Sequence, residues 1–384
     1  MAACFLRDRG MLLDVSQLHG VEVDVAKKQA WAGPGVMARS LSELLREVGL
    51  AFPTAHCGMV PLGGFLLGGG LGLNGNHWGE MSVFNVNAVD IVTADGVLRR
   101  ASAIENPDLF WAVRGGGPGL FGVVTKFHLQ VFDLPEAIVG TTLSFRFSDL
   151  SAVAQALADV APRIERDVEI LGYIGRADDE LASKLARADS QLAVHLHANA
   201  FVGSRRDGER RVKPLLDHPI AAQAIARHAG QVNTIEQLYF AEELGFSQRR
   251  YHADNIFTDR LQDVAKVLER RMPQCPARDS QAVFLYKGNP NLPDAACSTM
   301  GDFYAAFYTI WDNPTEDSRI HQYLVSLYRE LAPLGTGSNI NEMNQEGRSE
   351  DVAQCYSPDA WRRLAELRTK WDPQHVFHDF YGSS

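Results

Sequence analysis

Apolar and polar positions divide the chain into three kinds of stretch. Short runs of alternating apolar residues, Met11–Leu18 and Val21–Val25, open it and predict two strands turning at His19 and Gly20. Ser40 with Glu43 makes a capping box, and Leu41, Leu44, Leu45 and Val48 recur at helical spacing until Gly49 stops the helix. The run VNAVDIVTADGVLRRAS predicts a hairpin turning at Ala94, Asp95 and Gly96. Asn106 caps a short helix with Pro107 at its first position, and a strand follows from Phe121 to Phe132.

From about residue 135 to 335 the pattern changes to longer alternating runs, GTTLSFRFSDL, LAVHLHANAFVG, AVFLYKGNP and FYAAFYTIW, mixed with helical stretches such as SAVAQALADVAPRI and SRIHQYLVSLYRELAP. Strands mixed with helices outside any βαβ rhythm predict an α+β fold, here an antiparallel sheet backed by helices. At the end of the chain, Ser357 caps a helix that starts at Pro358, carries Trp361, Leu364, Leu367 and Trp371 on its apolar face, and stops at Asp372 and Pro373.

Between these periodic stretches lies one that belongs to neither pattern. Phe52–Gly75 holds Gly58, Gly63, Gly64, Gly68, Gly69, Gly70, Gly72 and Gly75 around a single cysteine, Cys57. Each glycine in a regular element costs about 0.5–1 kcal/mol, so such a density implies backbone at positive φ or a close approach that a Cβ would block. A ligand held by main-chain groups is the usual reason, with phosphates and flat heterocycles the common cases. A glycine-rich bend without a ligand is the alternative. Gly70, Gly72 and Gly75 match the dinucleotide fingerprint G-x-G-x-x-G, but no strand precedes them and no helix opens on the last glycine, so the context disfavours a Rossmann site. No Gly-Lys-Ser or Gly-Lys-Thr exists for a P-loop.

Charge and composition remove several classes. In 384 residues, 37 basic against 47 acidic side chains leave a net charge of -10, which disfavours nucleic acid. The basic cluster from Arg205 to Lys213 is broken by Asp207 and Glu209 and reads as a solvated helix face. No apolar run is long enough to span a bilayer and the first residues lack a signal peptide's apolar segment, so the expected compartment is the cytoplasm. Five scattered cysteines give neither a disulfide framework nor a zinc ribbon, and the 12 histidines lack H-x-x-x-H or H-E-x-x-H spacing, so no metal site is expected.

The motifs taken together carry a resemblance. His56–Gly64, Gly68–Gly72, VNAVDIVTADG and ENPDLFWAVRGGGPGLFGVVTKF follow one another as in the FAD domain of berberine-bridge-enzyme-like oxidases, of the vanillyl-alcohol-oxidase and p-cresol methylhydroxylase type. The resemblance implies an FAD-binding domain over residues 1–134, a substrate domain over 135–335 and a return to the FAD domain over 336–384. It implies FAD contacts at Cys57, Val60, Gly63, Gly64, Gly68, Gly69, Gly70, Gly72, Gly122, Val123 and Asn341, with Cys57 a point of covalent attachment. It also implies that Glu342 faces the substrate, where it is the candidate base for passing hydride from a small alcohol, sugar or amine to flavin N5. Oxygen would then take the electrons and give hydrogen peroxide, and the small side chain of Val60 suits its approach.

Tyr251, His252, Tyr286, Tyr304, Tyr308 and Trp311 are candidates to line a pocket, although each also suits an ordinary core place. Three departures qualify the resemblance. The family's Gly-Gly-His pyrophosphate loop would precede Arg7, so the chain reads as lacking its amino-terminal subdomain. Phe65 stands where a histidine is common, and Asn339 stands where an aromatic residue is common. A catalytically silent remnant that binds a small molecule is therefore the rival reading, and a nicotinamide dehydrogenase is a third.

Overall fold

The run FYAAFYTIW predicts a strand with two faces, and in the structure, a computed structural model, Phe303–Trp311 is one. Residues 10–177, 181, 182, 192–239 and 249–378 are described. The strands of the first half are β1 (Val21–Asp24), β2 (Gln29–Ala32), β3 (Leu50–Ala51), β4 (Val86–Thr93), β5 (Leu98–Ser102), β6 (Gly122–Gln130) and β7 (Phe132–Asp133). The helices among them are α1 (Ala38–Glu47), α2 (Leu62–Leu67) and α3 (Pro107–Val113). A five-stranded sheet runs in the order β1-β2-β6-β4-β5, and β3 pairs with β7.

The second half adds β8 (Ala137–Arg146), β9 (Val168–Arg176), β10 (Leu192–Val202), β11 (Ala226–Asn233), β12 (Arg250–Thr258), β13 (Gln281–Tyr286) and β14 (Phe303–Trp311). Its helices are α4 (Leu150–Val160), α5 (Arg205–Arg211), α6 (Lys213–Asp217), α7 (Leu261–Arg271), α8 (Asp317–Leu331) and, last, α9 (Pro358–Trp371). These strands form a seven-stranded sheet in the order β11-β8-β10-β9-β13-β14-β12. Every ladder in both sheets is antiparallel, the expected α+β arrangement.

Alternation along the large sheet divides it between two cores, because successive side chains of a strand point to opposite faces. Phe303, Ala305 and Phe307 of β14, with Phe284 and Ile256, pack with Leu157, Leu268, Leu324 and Leu327 of α4, α7 and α8. Tyr304 and Ala306, with Phe257, Leu285 and Leu171, join instead the core of the five-stranded sheet. Ile340, Cys355, Tyr356, Leu364 and Leu367 lie in that same core, so the end of the chain packs back on the first half. Among the described residues no helix is long and apolar enough to cross a membrane.

Several elements depart from expectation. Residues 11–18 form no strand, and Met11, Leu12 and Leu13 are exposed; β1 finds its partner in β2, pairing Val21 with Ala32. Helix α1 starts at Ala38, ahead of the capping box, and no side chain caps it. The reason is local. The N–H groups of Ala38 and Arg39 donate to the carbonyls of Val60 and Gly58 at 2.9 and 3.0 Å, so the glycine-rich stretch itself caps the helix. Asn106 occupies the N-cap of α3 at φ 45°, but its side chain donates to the Arg100 carbonyl at 2.7 Å rather than capping. Gly49 ends α1 at φ 72°, and Ser357 accepts from the Ala360 N–H at the start of α9, both as expected.

Candidate active site

The short helical turn Ile340–Glu342 carries the candidate base, and β12 holds it in place. The Asn255 amide donates from Nδ2 to the Asn339 carbonyl at 2.9 Å and accepts the Asn339 N–H at Oδ1, at 2.7 Å. Ser338 Oγ donates to the Asn255 carbonyl at 3.0 Å, and the Asn339 side chain accepts the Asn341 N–H at 3.1 Å. Asn341 then reaches the glycine-rich stretch, donating from Nδ2 to the Phe65 carbonyl at 3.1 Å. These bonds explain a polar, buried Asn339 at a position where an aromatic side chain was expected from the resemblance.

Glu342 is half-buried, and two phenols converge on one of its oxygens. Tyr304 and Tyr308 both donate to Oε2, the latter at 2.9 Å. They stand four apart on β14 and therefore share the face turned away from the helices. Burial and then the Glu342 charge hold both well above the usual tyrosine range, with Tyr308 adding to the rise of Tyr304 while Tyr304 opposes that of Tyr308, so both remain donors. Tyr251 on β12 is raised by burial and by the charges of Glu342 and Cys57, which brings the carboxylate and the thiol within electrostatic reach of one ring.

Of the other pocket candidates, His252 and Trp311 lie on the opposite face of the sheet. Trp311 packs with Ile320 of α8, and Tyr286 packs against Phe303. Strand alternation separates them from Glu342, so these three are corrected from pocket lining to the helix side.

Around the glycine-rich stretch the expected contacts divide into two groups. Cys57, Val60 and Phe65 are half-buried, Gly64 is exposed with nothing within 4 Å of a notional Cβ, and Met59 is exposed; together they offer accessible surface for a flat ring. Gly68, Gly69, Gly70 and Gly72 are buried, and the space beside each is filled by protein. A Cβ on Gly68 would land in the Asn341 amide, on Gly69 against Met81 and Cys297, on Gly70 against the Phe65 ring, and on Gly72 in the Pro53 carbonyl.

Gly69 and Gly70 also lie at φ 106° and 77°. The N–H groups of Gly63, Gly68 and Gly69 already donate to the carbonyls of Pro34, Gly64 and Leu66. The close approach that glycine permits here is between protein segments, and these three amides are paired within the chain. Gly122 and Val123 begin β6, half-buried, opposite Thr93 and Val92.

One cluster was missed by sequence reasoning. His56 Nε2 pairs with Glu169 Oε1 at 3.0 Å, Glu169 Oε2 accepts the Asn74 N–H at 3.1 Å, and Lys287 Nζ donates to the Glu80 carbonyl at 2.8 Å. Burial alone would lower His56, but the Glu169 carboxylate outweighs it and holds the imidazolium above its usual range. Burial takes Lys287 down to about 8, with Glu169 opposing. The available signal was Lys287 itself, a charge directly after the apolar run of β13.

Comparisons with known proteins agree with this architecture. Residues 2–102 match the family described as FAD binding domain. The FAD-linked oxidoreductase penO of Penicillium crustosum is 29% identical over 95% of this chain and 79% of its own length. The (R)-6-hydroxynicotine oxidase of Paenarthrobacter nicotinovorans is 26% identical over 97% of this chain and 81% of its own length.

Among solved structures, 6-hydroxy-D-nicotine oxidase from Arthrobacter nicotinovorans superposes with a TM-score of 0.81 at 20% identity, covering 98% of this chain and 83% of that one. Berberine bridge enzyme from Eschscholzia californica gives 0.76 at 18% identity, covering 96% and 79%. The chain is an FAD-dependent oxidoreductase, and its fold is the one shared by 6-hydroxy-D-nicotine oxidase and berberine bridge enzyme. The cofactor of this oxidoreductase is FAD, and Met59 and Gly64 are exposed beside Cys57, whose charge and that of Glu342 both reach Tyr251.

Proposed function

We propose that this oxidoreductase is an oxidase for a small alcohol, sugar or amine, and that Glu342 is its general base. The observation that carries this reading is the convergence of Tyr304 and Tyr308 on Glu342 Oε2. Two charge-assisted bonds fix the carboxylate's plane and leave Oε1 to accept a proton from the substrate's hydroxyl or amino group. Cys57 and Gly64 would hold FAD, which when bound would supply the hydride acceptor, with oxygen as the electron acceptor that gives hydrogen peroxide.

Tyr251 bounds the space between the carboxylate and Cys57, where its ring excludes water and packs on the substrate. Asn341, anchored to Phe65, fixes the distance between the Glu342 turn and the cofactor surface. Cys57 is the position from which the chain would hold the flavin covalently.

The test is anaerobic stopped-flow reduction of the FAD-loaded protein by a panel of secondary amines, benzylic alcohols, aldoses and (R)-6-hydroxynicotine. For any substrate that bleaches the flavin, Glu342→Gln is expected to slow reduction by about 10²–10⁴-fold with unchanged FAD content. An undiminished rate removes the base assignment. Flavin absorbance that stays with the acid-precipitated protein, and leaves it in Cys57→Ser, supports covalent attachment at Cys57.

A further inference from the structure

On the helix side of the large sheet, away from Glu342, three side chains from three separate elements converge. His252 stands on β12, the sheet's edge strand, His321 lies in the second turn of α8, and Glu346 lies in the segment that follows Glu342. Each offers one donor atom, and the three atoms lie within 4.8 Å of one another. The two imidazoles meet edge to face with ring centres 5.2 Å apart. His321 Nδ1 is enclosed and makes no hydrogen bond among the described residues, which leaves a buried polar atom whose desolvation nothing offsets. A sequence scan for metal spacing misses this group because its members are 69 and 25 residues apart rather than on one helix turn.

We propose that His252, His321 and Glu346 form a binding site for a divalent transition-metal ion, with zinc the best match. Two imidazoles and one carboxylate are the donor set of borderline-soft cations, and ligand bonds of about 2.0–2.2 Å require only a modest closing of donors already this near. Calcium and magnesium prefer all-oxygen sets and are disfavoured. Glu346 is exposed, so the fourth position opens to solvent and the ion has a path in. Around the donors, Trp311 packs 5.4 Å from the His252 ring, and the Asp317 carboxylate beside it is fixed by Arg250 and by Trp311 Nε1 at 2.8 Å. Such surroundings orient ligands.

The ion would pin the segment after Glu342 to both the sheet edge and α8. This is a structural clamp on the loop that carries the base, and its existence does not depend on Glu342 being the base.

The experiment uses the full FAD-loaded chain, stripped with chelator and dialysed against zinc chloride, with bound metal quantified and thermal unfolding recorded. One zinc per chain is expected at about 100 µM free metal, with a rise in Tm by ligand linkage. Glu346→Gln and His321→Ala are expected to weaken uptake at least about tenfold and to lose the Tm rise, whereas His228→Ala, on the exposed edge strand β11, retains both. Since Glu346 is exposed, its variant decides the matter even where His321→Ala fails to fold. No stoichiometric uptake, or uptake and Tm rise unchanged in Glu346→Gln, overturns the proposal.

Discussion

Asn255 pairs with the backbone of Asn339 as one strand pairs with another: its side-chain amide donates to the carbonyl at 2.9 Å and accepts from the N–H at 2.7 Å. Both residues are buried, so no water replaces the amide when it is removed. Asn255→Ala is therefore expected to leave two main-chain groups unpaired and to cost about 2–4 kcal/mol, read as a lower midpoint in urea. Because the Glu342 turn hangs on Asn339, flavin reduction should also slow. A variant with wild-type stability would show that the turn is held elsewhere.

The contact between Gly68 and Asn341 gives a second prediction. An added methyl at Gly68 must displace the Asn341 amide, and with it the bond to the Phe65 carbonyl. Gly68→Ala alone is expected to cost about 1–3 kcal/mol through overpacking. In an Asn341→Ala background the displaced atoms are gone and the same change should be nearly neutral. A double-mutant cycle in chemical denaturation measures the difference, and additive costs would show that the two residues do not meet.

The two phenols on Glu342 are separable by single substitutions. Tyr308→Phe removes one charge-assisted bond worth about 1.5–3 kcal/mol, so flavin reduction is expected to fall by roughly one to two orders of magnitude. Tyr304→Phe should do the same from a more deeply buried position. Both phenols are raised by burial and by the carboxylate, so they stay protonated through the ordinary tyrosine range. The pH profile of kcat/KM should accordingly show no loss of activity near pH 10 that disappears in either Phe variant. Such a loss would mean that the phenols titrate freely.

How far these features were legible depends on the range of the interaction behind them. The Ser357 cap and Gly49 stop are set by residues within one turn, and they stand where the spacing put them. The start of α1 was misplaced because its caps are the carbonyls of Gly58 and Val60, some 20 residues along the chain. Glu342 and Cys57 were singled out through a resemblance, but nothing local indicated that Tyr304 and Tyr308 meet on one oxygen. That follows from the pairing of β14 between β13 and β12, a register no single stretch encodes. The glycines announced close approach correctly, yet their partners at Asn341, Phe65 and Pro53 were invisible for the same reason.

Lys287 makes the stability of the fold depend on alkaline pH in a direction that can be worked out. Burial lowers its folded pKa from 10.5 to about 8, against which Glu169 pulls upward. Between these two values the unfolded chain holds a proton that the folded chain has shed, so unfolding is increasingly disfavoured as pH rises from about 8 towards 10. The full interval corresponds to about 3 kcal/mol, of which the accessible part lies below pH 10, where the raised tyrosines begin to act in the opposite sense. His56, held above its ordinary value by Glu169, contributes stability below about pH 6.5 that is lost as pH rises through its folded pKa.

Lys287→Met keeps the volume and removes the titration, so the rise in urea midpoint between pH 8 and 9.5 should vanish relative to the unsubstituted chain. An identical slope in both proteins would mean that the Lys287 ammonium keeps its charge in the fold, with Glu169 and the Glu80 carbonyl solvating it fully. The difference in slope between the two proteins thus distinguishes a lysine strained by burial from one satisfied by its neighbours.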